Sequence, residues 1–206
     1  MSQTVLRKKQ FLTQAQCDEL NAWVEEAVER KWLDFGVSRG SGWCYKDRLT
    51  TRGYGGRFEY PPIVHNVFGQ ITESLDLHDL KKSESGGGRD GVVVSCTFPE
   101  GDVYEHRDPM EGPKHVLRCN VMTQKADGGA KLYIDEEHID IEVGELHCYL
   151  PSRTLHYVTK VEGQTPRILW MFGYKCDKER FDQLFPRIND HNLTTIKDEH
   201  EIATTY

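Results

Sequence analysis

Two periodicities divide the chain. Cys17, Leu20, Trp23, Val24, Ala27 and Val28 recur at helical spacing with charged residues between them. This predicts a helix over about residues 14–31, opened by Thr13 as N-cap with Gln16 as its capping-box partner. Residues 5–12 form a short apolar lead-in. Val64, Val67, Phe68, Ile71 and Leu75 make a second helical series, which predicts a helix over 63–80 after Pro61 and Pro62. Residues 36–62 are rich in glycine, arginine and aromatics, and read as a long loop. Loops of that length inside a domain tend to carry function. Here one would cover a substrate, with Trp43, Tyr45, Arg52, Tyr54 and Arg57 as contacts; a plain surface meander fits the pattern equally.

From Gly91 onward the period changes to two. Eight short β-branched or aromatic runs follow, separated by turns rich in glycine, proline and aspartate. Proline, glutamate, glycine and aspartate at 99–102 read as a turn between the first two strands. Arg167 is expected to open a strand antiparallel to the one carrying His156. Short strands without intervening helices suit a β-sandwich or jelly roll better than βαβ units. Residues 177–185 predict a closing helix, and the polar tail beyond Pro186 is expected to drape over the surface. The expected fold is mainly β with flanking helices, in a single domain spanning 1–206. Within it 1–90 give helical support and the substrate loop, 91–176 the jelly-roll core, and 177–206 a C-terminal helix and tail. Residues 81–90 form a polar connector and do not split the domain, because the leading helices would lack a core of their own.

Composition narrows the partners. With 37% hydrophobic residues over 206 positions, the chain can build a real core. No apolar run is long enough to span a bilayer, and the N-terminus lacks the apolar centre of a signal peptide, so no membrane and a cytoplasmic location are expected. A net charge of −7 makes a nucleic-acid partner a poor match and a small-molecule or amino-acid-like substrate a better one. The six cysteines contain no Cys-x-x-Cys pair, so core thiols are expected rather than a zinc knuckle.

Chemistry concentrates between Tyr104 and Tyr174. Alternate residues on a strand share a face, so His106 and Asp108 can bind one ion. His156, from a distant strand, would complete three ligands. Two imidazoles and one carboxylate suit Fe(II) with open positions left over, and zinc in a hydrolase is not excluded by the same donors. The pair alone is weak, since nine histidines and 33 acids give roughly one His-x-acid pair by chance. A second pair, His138 and Asp140, alternates with Ile139 and Ile141 and reads as a solvated strand face. His106 instead meets a turn of proline and glycine, where a barrel mouth would open. His147 is a rival ligand but precedes the proline turn, and reads as a satisfied core or rim histidine. Arg167 lies among apolar neighbours, where a guanidinium can clamp a carboxylate in a bidentate fork. Tyr104 should share the inward face of His106, and Arg118 and Asn120 share a face on the next strand.

The set His106, Asp108, His156 and Arg167 resembles the Fe(II)- and 2-oxoglutarate-dependent dioxygenases. The opening stretch, residues 10–20, is similar to the start of the prolyl-4-hydroxylase-like branch. That resemblance implies a double-stranded β-helix (cupin-like jelly roll) braced by N-terminal helices. It implies Fe(II) as metal, 2-oxoglutarate as cosubstrate and O2 as oxidant, with succinate and carbon dioxide released as a substrate C–H bond is oxidised. It also implies that Arg167 holds the distal carboxylate of 2-oxoglutarate, with Tyr104, Asn120 and Lys131 as further cosubstrate contacts. Lys131 stands where the branch usually has threonine, and Leu169 where it usually has serine. Arg118 would reach the cosubstrate or the substrate. Asp108 occupies the position that halogenating members leave without a carboxylate, which favours hydroxylation or a related oxidation. A peptide or nucleic-acid substrate is the second reading, kept open by the arginines of the 36–62 loop. A non-enzymatic cupin-like metal-binding barrel is the third, but the upstream His-x-His cluster of cupins is absent.

Overall fold

The computed structural model describes residues 5–35, 45–50, 58–83, 90–184 and 193–195. Part of the lead-in forms strand β1 (Leu6–Lys8). Helix α1 (Gln14–Glu29) starts where its capping box places it: Gln16 N–H donates to Thr13 Oγ1 at 3.3 Å, and Thr13 N–H to Gln16 Oε1 at 2.9 Å. Strand β3 (Tyr45–Thr50) lies within the stretch expected to be loop and pairs with the short β2 (Asp34–Phe35) just before it. Helix α2 (Pro62–Leu75) has proline in its first turn. It stops five residues short of the periodic stretch. Asp76 turns left-handed (φ 51°), and Leu77 N–H folds back to the Thr72 carbonyl at 2.9 Å.

The β part contains β4 (Val92–His106), β5 (His115–Gln124), β6 (Gly128–Gly129), β7 (Leu132–Ile134), β8 (Glu137–Ile139), β9 (Leu146–Tyr149), β10 (His156–Val158), β11 (Val161–Glu162) and β12 (Arg167–Cys176). Helix α3 (Lys178–Asp182) follows, and β13 (Leu193–Thr195) pairs with β1 instead of merely draping. The main sheet runs β13-β1-β9-β5-β12-β4-β10-β7-β8, with β3 also on β4 and every pairing antiparallel. A smaller sheet joins β11 to β6. This is the expected jelly roll braced by helices.

Two expectations about connectivity need correction. The turn expected at 99–102 is a bend inside β4, with Glu100 at φ 66°. β3 pairs on both sides of the bend and shifts register across it, so the ladder continues where the local sequence signals a stop. The bend has a use. The first half of β4 pairs with β12 and the second half with β10, so one strand links two layers. It also means that the Arg167 strand does not lie against the His156 strand; both flank β4.

Alternation then sorts the side chains. Trp170, Phe172 and Tyr174 of β12, Leu117, Cys119 and Val121 of β5, and Leu146 and Cys148 of β9 face the helices. They bury against Leu20, Trp23, Val24, Val64, Phe68 and Ile71. The other face of the same strands carries Arg167 and Leu169, Arg118 and Asn120, and His147 and Tyr149, all buried. Five of the six cysteines fall in the described part; all are buried and free. Among the described residues no helix is long and apolar enough to cross a membrane.

β1 is locked to the turn before β9 by a buried ion pair. Arg7 Nε donates to Glu145 Oε1, Arg7 Nη2 donates to the Asp140 carbonyl at 2.6 Å, and Glu142 N–H donates to Glu145 Oε2 at 3.0 Å. Both side chains are almost wholly withdrawn from water. Removing one partner strands the other charge. Glu145→Ala is expected to cost roughly 3–5 kcal/mol in urea unfolding, and the double change Arg7→Met with Glu145→Leu to recover most of it.

Candidate metal centre and its chamber

β10 lies against the end of β4 with His156 directly opposite His106. Their rings sit 4.3 Å apart, centroid to centroid, and tilted by 46°. Asp108 follows past the strand end and is held by its backbone, whose N–H donates to the Pro151 carbonyl at 3.0 Å. The turn before His156 is fixed by Thr154, whose N–H reaches the Leu150 carbonyl at 3.2 Å. Leu155 and Asp135 exchange hydrogen bonds at 2.8 and 2.7 Å. Side-chain donors of His106, Asp108 and His156 all fall within 4.8 Å of one another, the one such His/Cys/Asp/Glu group among the described residues.

Each imidazole is oriented by a carbonyl. His106 Nδ1–H donates to the Tyr104 carbonyl at 2.8 Å, and His156 Nδ1–H to the Thr154 carbonyl at 3.2 Å. A neutral imidazole bonded that way presents its Nε2 lone pair, the usual arrangement of a metal-ligating histidine. His106 Nε2 lies 3.4 Å from Asp108 Oδ1. Ligands roughly 2.1 Å from an ion and at right angles to each other stand about 3 Å apart, so the spacing fits a shared cation. Burial works to raise the Asp108 carboxyl. A proton on His106 Nε2, which a bound cation would replace, and the charge of Arg118 outweigh it and hold the group well below the usual carboxylate range. An ionised carboxylate beside two oriented imidazoles is therefore in place.

Arg118 Nε stands 3.8 Å from Asp108 Oδ2. It can lie there because Gly173 is opposite it on β12. A Cβ at Gly173 would sit 3.3 Å from Arg118 Nη1 and 3.0 Å from Ser83 Cβ.

The same chamber is lined by Asn120, His147, Tyr149 and Arg167, with Val103, Leu132, Val158 and Leu169 as apolar wall. Tyr149 packs edge-on to His156 with ring centroids 5.4 Å apart, and His147 stacks nearly parallel to Tyr149 at 6.2 Å. Asn120 Nδ2 donates to His147 Nε2 at 3.3 Å. Burial first, then the charges of Arg167 and Arg7, push the His147 imidazole down to about 3, so it is neutral.

The structure thus brings His106, Asp108, His156, Arg118, Asn120 and Arg167 to one chamber. Tyr104 does not join them: its side chain is 54% exposed. The β4–β10 register shifts between the Val103 and His106 pairings, so the inward residues are three apart and the two-residue rule fails there. Tyr104 contributes its carbonyl instead. Lys131 is exposed too. Its turn passes through Gly129 and Ala130, both at positive φ, and its backbone is tied to Thr159. A Cβ at Gly129 would come within 2.0 Å of the Lys160 carbonyl, so only glycine admits this path. Lys131 lines an adjoining pocket with Lys125, His138 and Asp140, whose wall shares Arg167 and Leu132 with the chamber. His138 and Asp140 are both exposed, and Asp140 pairs with Lys125 at 3.1 Å. Of Tyr45 the backbone alone is described, paired with Val103; Trp43, Arg52, Tyr54 and Arg57 lie outside the described residues. His147 is buried in the chamber away from the three ligands, and Tyr149 was not singled out. Their alternation with Leu146 and Cys148 in β9 was the signal.

No family model and no curated protein matches this sequence. Solved structures do. A Pseudomonas putida prolyl-4-hydroxylase aligns with a TM-score of 0.58 at 15% identity, over 85% of this chain and 94% of that one. A Trichoplax adhaerens prolyl hydroxylase, solved with a peptide fragment of the hypoxia inducible factor oxygen degradation domain, gives 0.61 at 17% identity, over 87% and 86%. HygX from Streptomyces hygroscopicus, with nickel, 2-oxoglutarate and hygromycin B bound, gives 0.57 at 10% identity, over 86% and 84%. The chain has the fold of the prolyl-4-hydroxylase-like 2-oxoglutarate oxygenases.

Proposed function

We propose that this protein is an Fe(II)- and 2-oxoglutarate-dependent oxygenase. It would oxidise an unactivated C–H bond of a small-molecule or amino-acid-like substrate and release succinate and carbon dioxide. The observation that carries this reading is one chamber holding two oriented imidazoles, an ionised carboxylate and a buried guanidinium. A barrel that only bound metal would have no use for Arg167, which is 2% exposed. A hydrolytic zinc site would leave it equally unexplained.

The donor set fits Fe(II): two nitrogens and one carboxylate on one side, with the remaining positions open to small ligands. When bound, Fe(II) with 2-oxoglutarate and O2 supplies the oxidising power for C–H chemistry. The chain's own residues do the rest. His106, Asp108 and His156 hold the ion. The Tyr104 and Thr154 carbonyls keep both rings turned to it, and Arg118 keeps the second oxygen of Asp108 engaged. Arg167 would bind the distal carboxylate of the cosubstrate. Val103, Leu132, Val158 and Leu169 make the wall apolar and keep water from the reacting centre.

A small-molecule substrate is favoured by the net charge of −7 and by the hygromycin B held by the similar fold of HygX. A peptide is the second reading, favoured by the peptide bound to the Trichoplax structure.

Supplied with Fe(II), 2-oxoglutarate and O2, the purified protein should release succinate slowly without substrate and faster with the right one. No succinate above a protein-free control, with or without a substrate library, would overturn the reading. Arg167→Ala should raise the 2-oxoglutarate concentration needed for half-maximal turnover on the order of 100-fold, the scale of a broken buried charge pair.

A second test addresses the metal end. Asp108→Ala should abolish Mn(II) binding in calorimetric titration. Gly173→Val, which pushes on Arg118 and through it on Asp108, should weaken Mn(II) by about 10-fold.

A further inference from the structure

His147 is a buried polar residue of the chamber that the proposed chemistry has not used. It is 1% exposed and faces inward from β9, beside Asn120. Asn120 Nδ2 donates to its Nε2. A neutral imidazole that accepts at Nε2 carries its proton on Nδ1. That Nδ1–H is buried and makes no hydrogen bond among the described residues. Native interiors rarely leave such a donor unmet unless a ligand or water meets it. The Arg167 guanidinium lines the same chamber and acts on the His147 ring through its charge. A neutral donor and a cation on one wall make a site for an anionic acceptor. Because the ring is uncharged, it adds direction without adding a second positive charge.

We infer that His147 is a specificity-determining residue for the cosubstrate: its Nδ1–H donates to the distal carboxylate of 2-oxoglutarate beside Arg167, and Asn120 holds the ring in the tautomer that permits it. The inference rests on the reading of the chamber as a 2-oxoglutarate site. Its consequence is selectivity for a dicarboxylate 2-oxo acid over one lacking the distal carboxylate. A 2-oxo monoacid such as pyruvate would chelate the metal in the same way but has no distal carboxylate for the His147 Nδ1–H to donate to.

The test uses the Mn(II)-loaded full chain under anaerobic conditions, with binding read by calorimetry. His147→Phe keeps the ring shape and removes the donor. It should weaken 2-oxoglutarate about 10-fold, the scale of one hydrogen bond to a charged group. Pyruvate and Mn(II) affinities should stay within about twofold of wild type. His147→Gln offers an amide N–H in place of the ring N–H and should restore most of the 2-oxoglutarate affinity; it also serves if the phenylalanine variant does not fold. Asn120→Leu should fall between wild type and His147→Phe. If His147→Phe weakens 2-oxoglutarate and pyruvate equally, or neither, or if His147→Gln binds 2-oxoglutarate no better than His147→Phe, the inference is wrong. Failure of the underlying reading looks different: wild-type protein would not bind 2-oxoglutarate at all, or Arg167→Ala would bind it as well as wild type.

Discussion

Two guanidinium groups, Arg118 and Arg167, are buried in one chamber, and the construction of the fold follows from having to keep them there. A buried charge is tolerated only where it meets an opposite charge or a full set of acceptors. Arg118 meets Asp108. That contact in turn helps hold Asp108 ionised against the desolvation that would protonate it. The metal end of the site and its cationic wall are thus one electrostatic unit. The helices pay for it in apolar area on the other side of the same strands: Trp170, Phe172 and Tyr174 bury against α1 and α2, on the face opposite Arg167 and Leu169.

Much of this could be read from the chain because β alternation is a strict rule. Arg118 and Asn120 differ by two, as do Arg167 and Leu169, and each pair shares a face in the structure. Both helices began where their proline or capping residues placed them. The rule failed where the ladder is irregular. Tyr104 and His106 also differ by two, but the shift in β4–β10 pairing puts the tyrosine outside. A bulge is set by how two distant strands meet, and no local pattern near residue 104 encodes it. The bend at Glu100 misled in the opposite sense: a strong turn signal lies inside a continuous strand because β3 pairs across it.

The choice between the two His-x-Asp pairs shows what kind of signal was decisive. Residue types and spacing are identical in His106/Asp108 and His138/Asp140. What differs is the company. Ile139 and Ile141 take the buried face of their segment, leaving His138 and Asp140 exposed, whereas the segment after His106 is pinned to the Pro151 turn. The carbonyls of Tyr104 and Thr154 that orient the two rings were invisible beforehand, because backbone groups carry no sequence signature.

The arrangement also separates two kinds of selectivity. On the proposed reading the chamber runs from half-buried ligands, His106 and Asp108, to fully buried residues, His147 and Arg167. Charge, donors and apolar wall at the inner end are all matched to a small anion. A substrate must then meet the metal from the outer end, where β3 lies along the second half of β4. On that reading selection of the cosubstrate would belong to β5, β9 and β12, strands at the centre of the sheet. Selection of the substrate belongs to the rim, which can change without disturbing the buried charges.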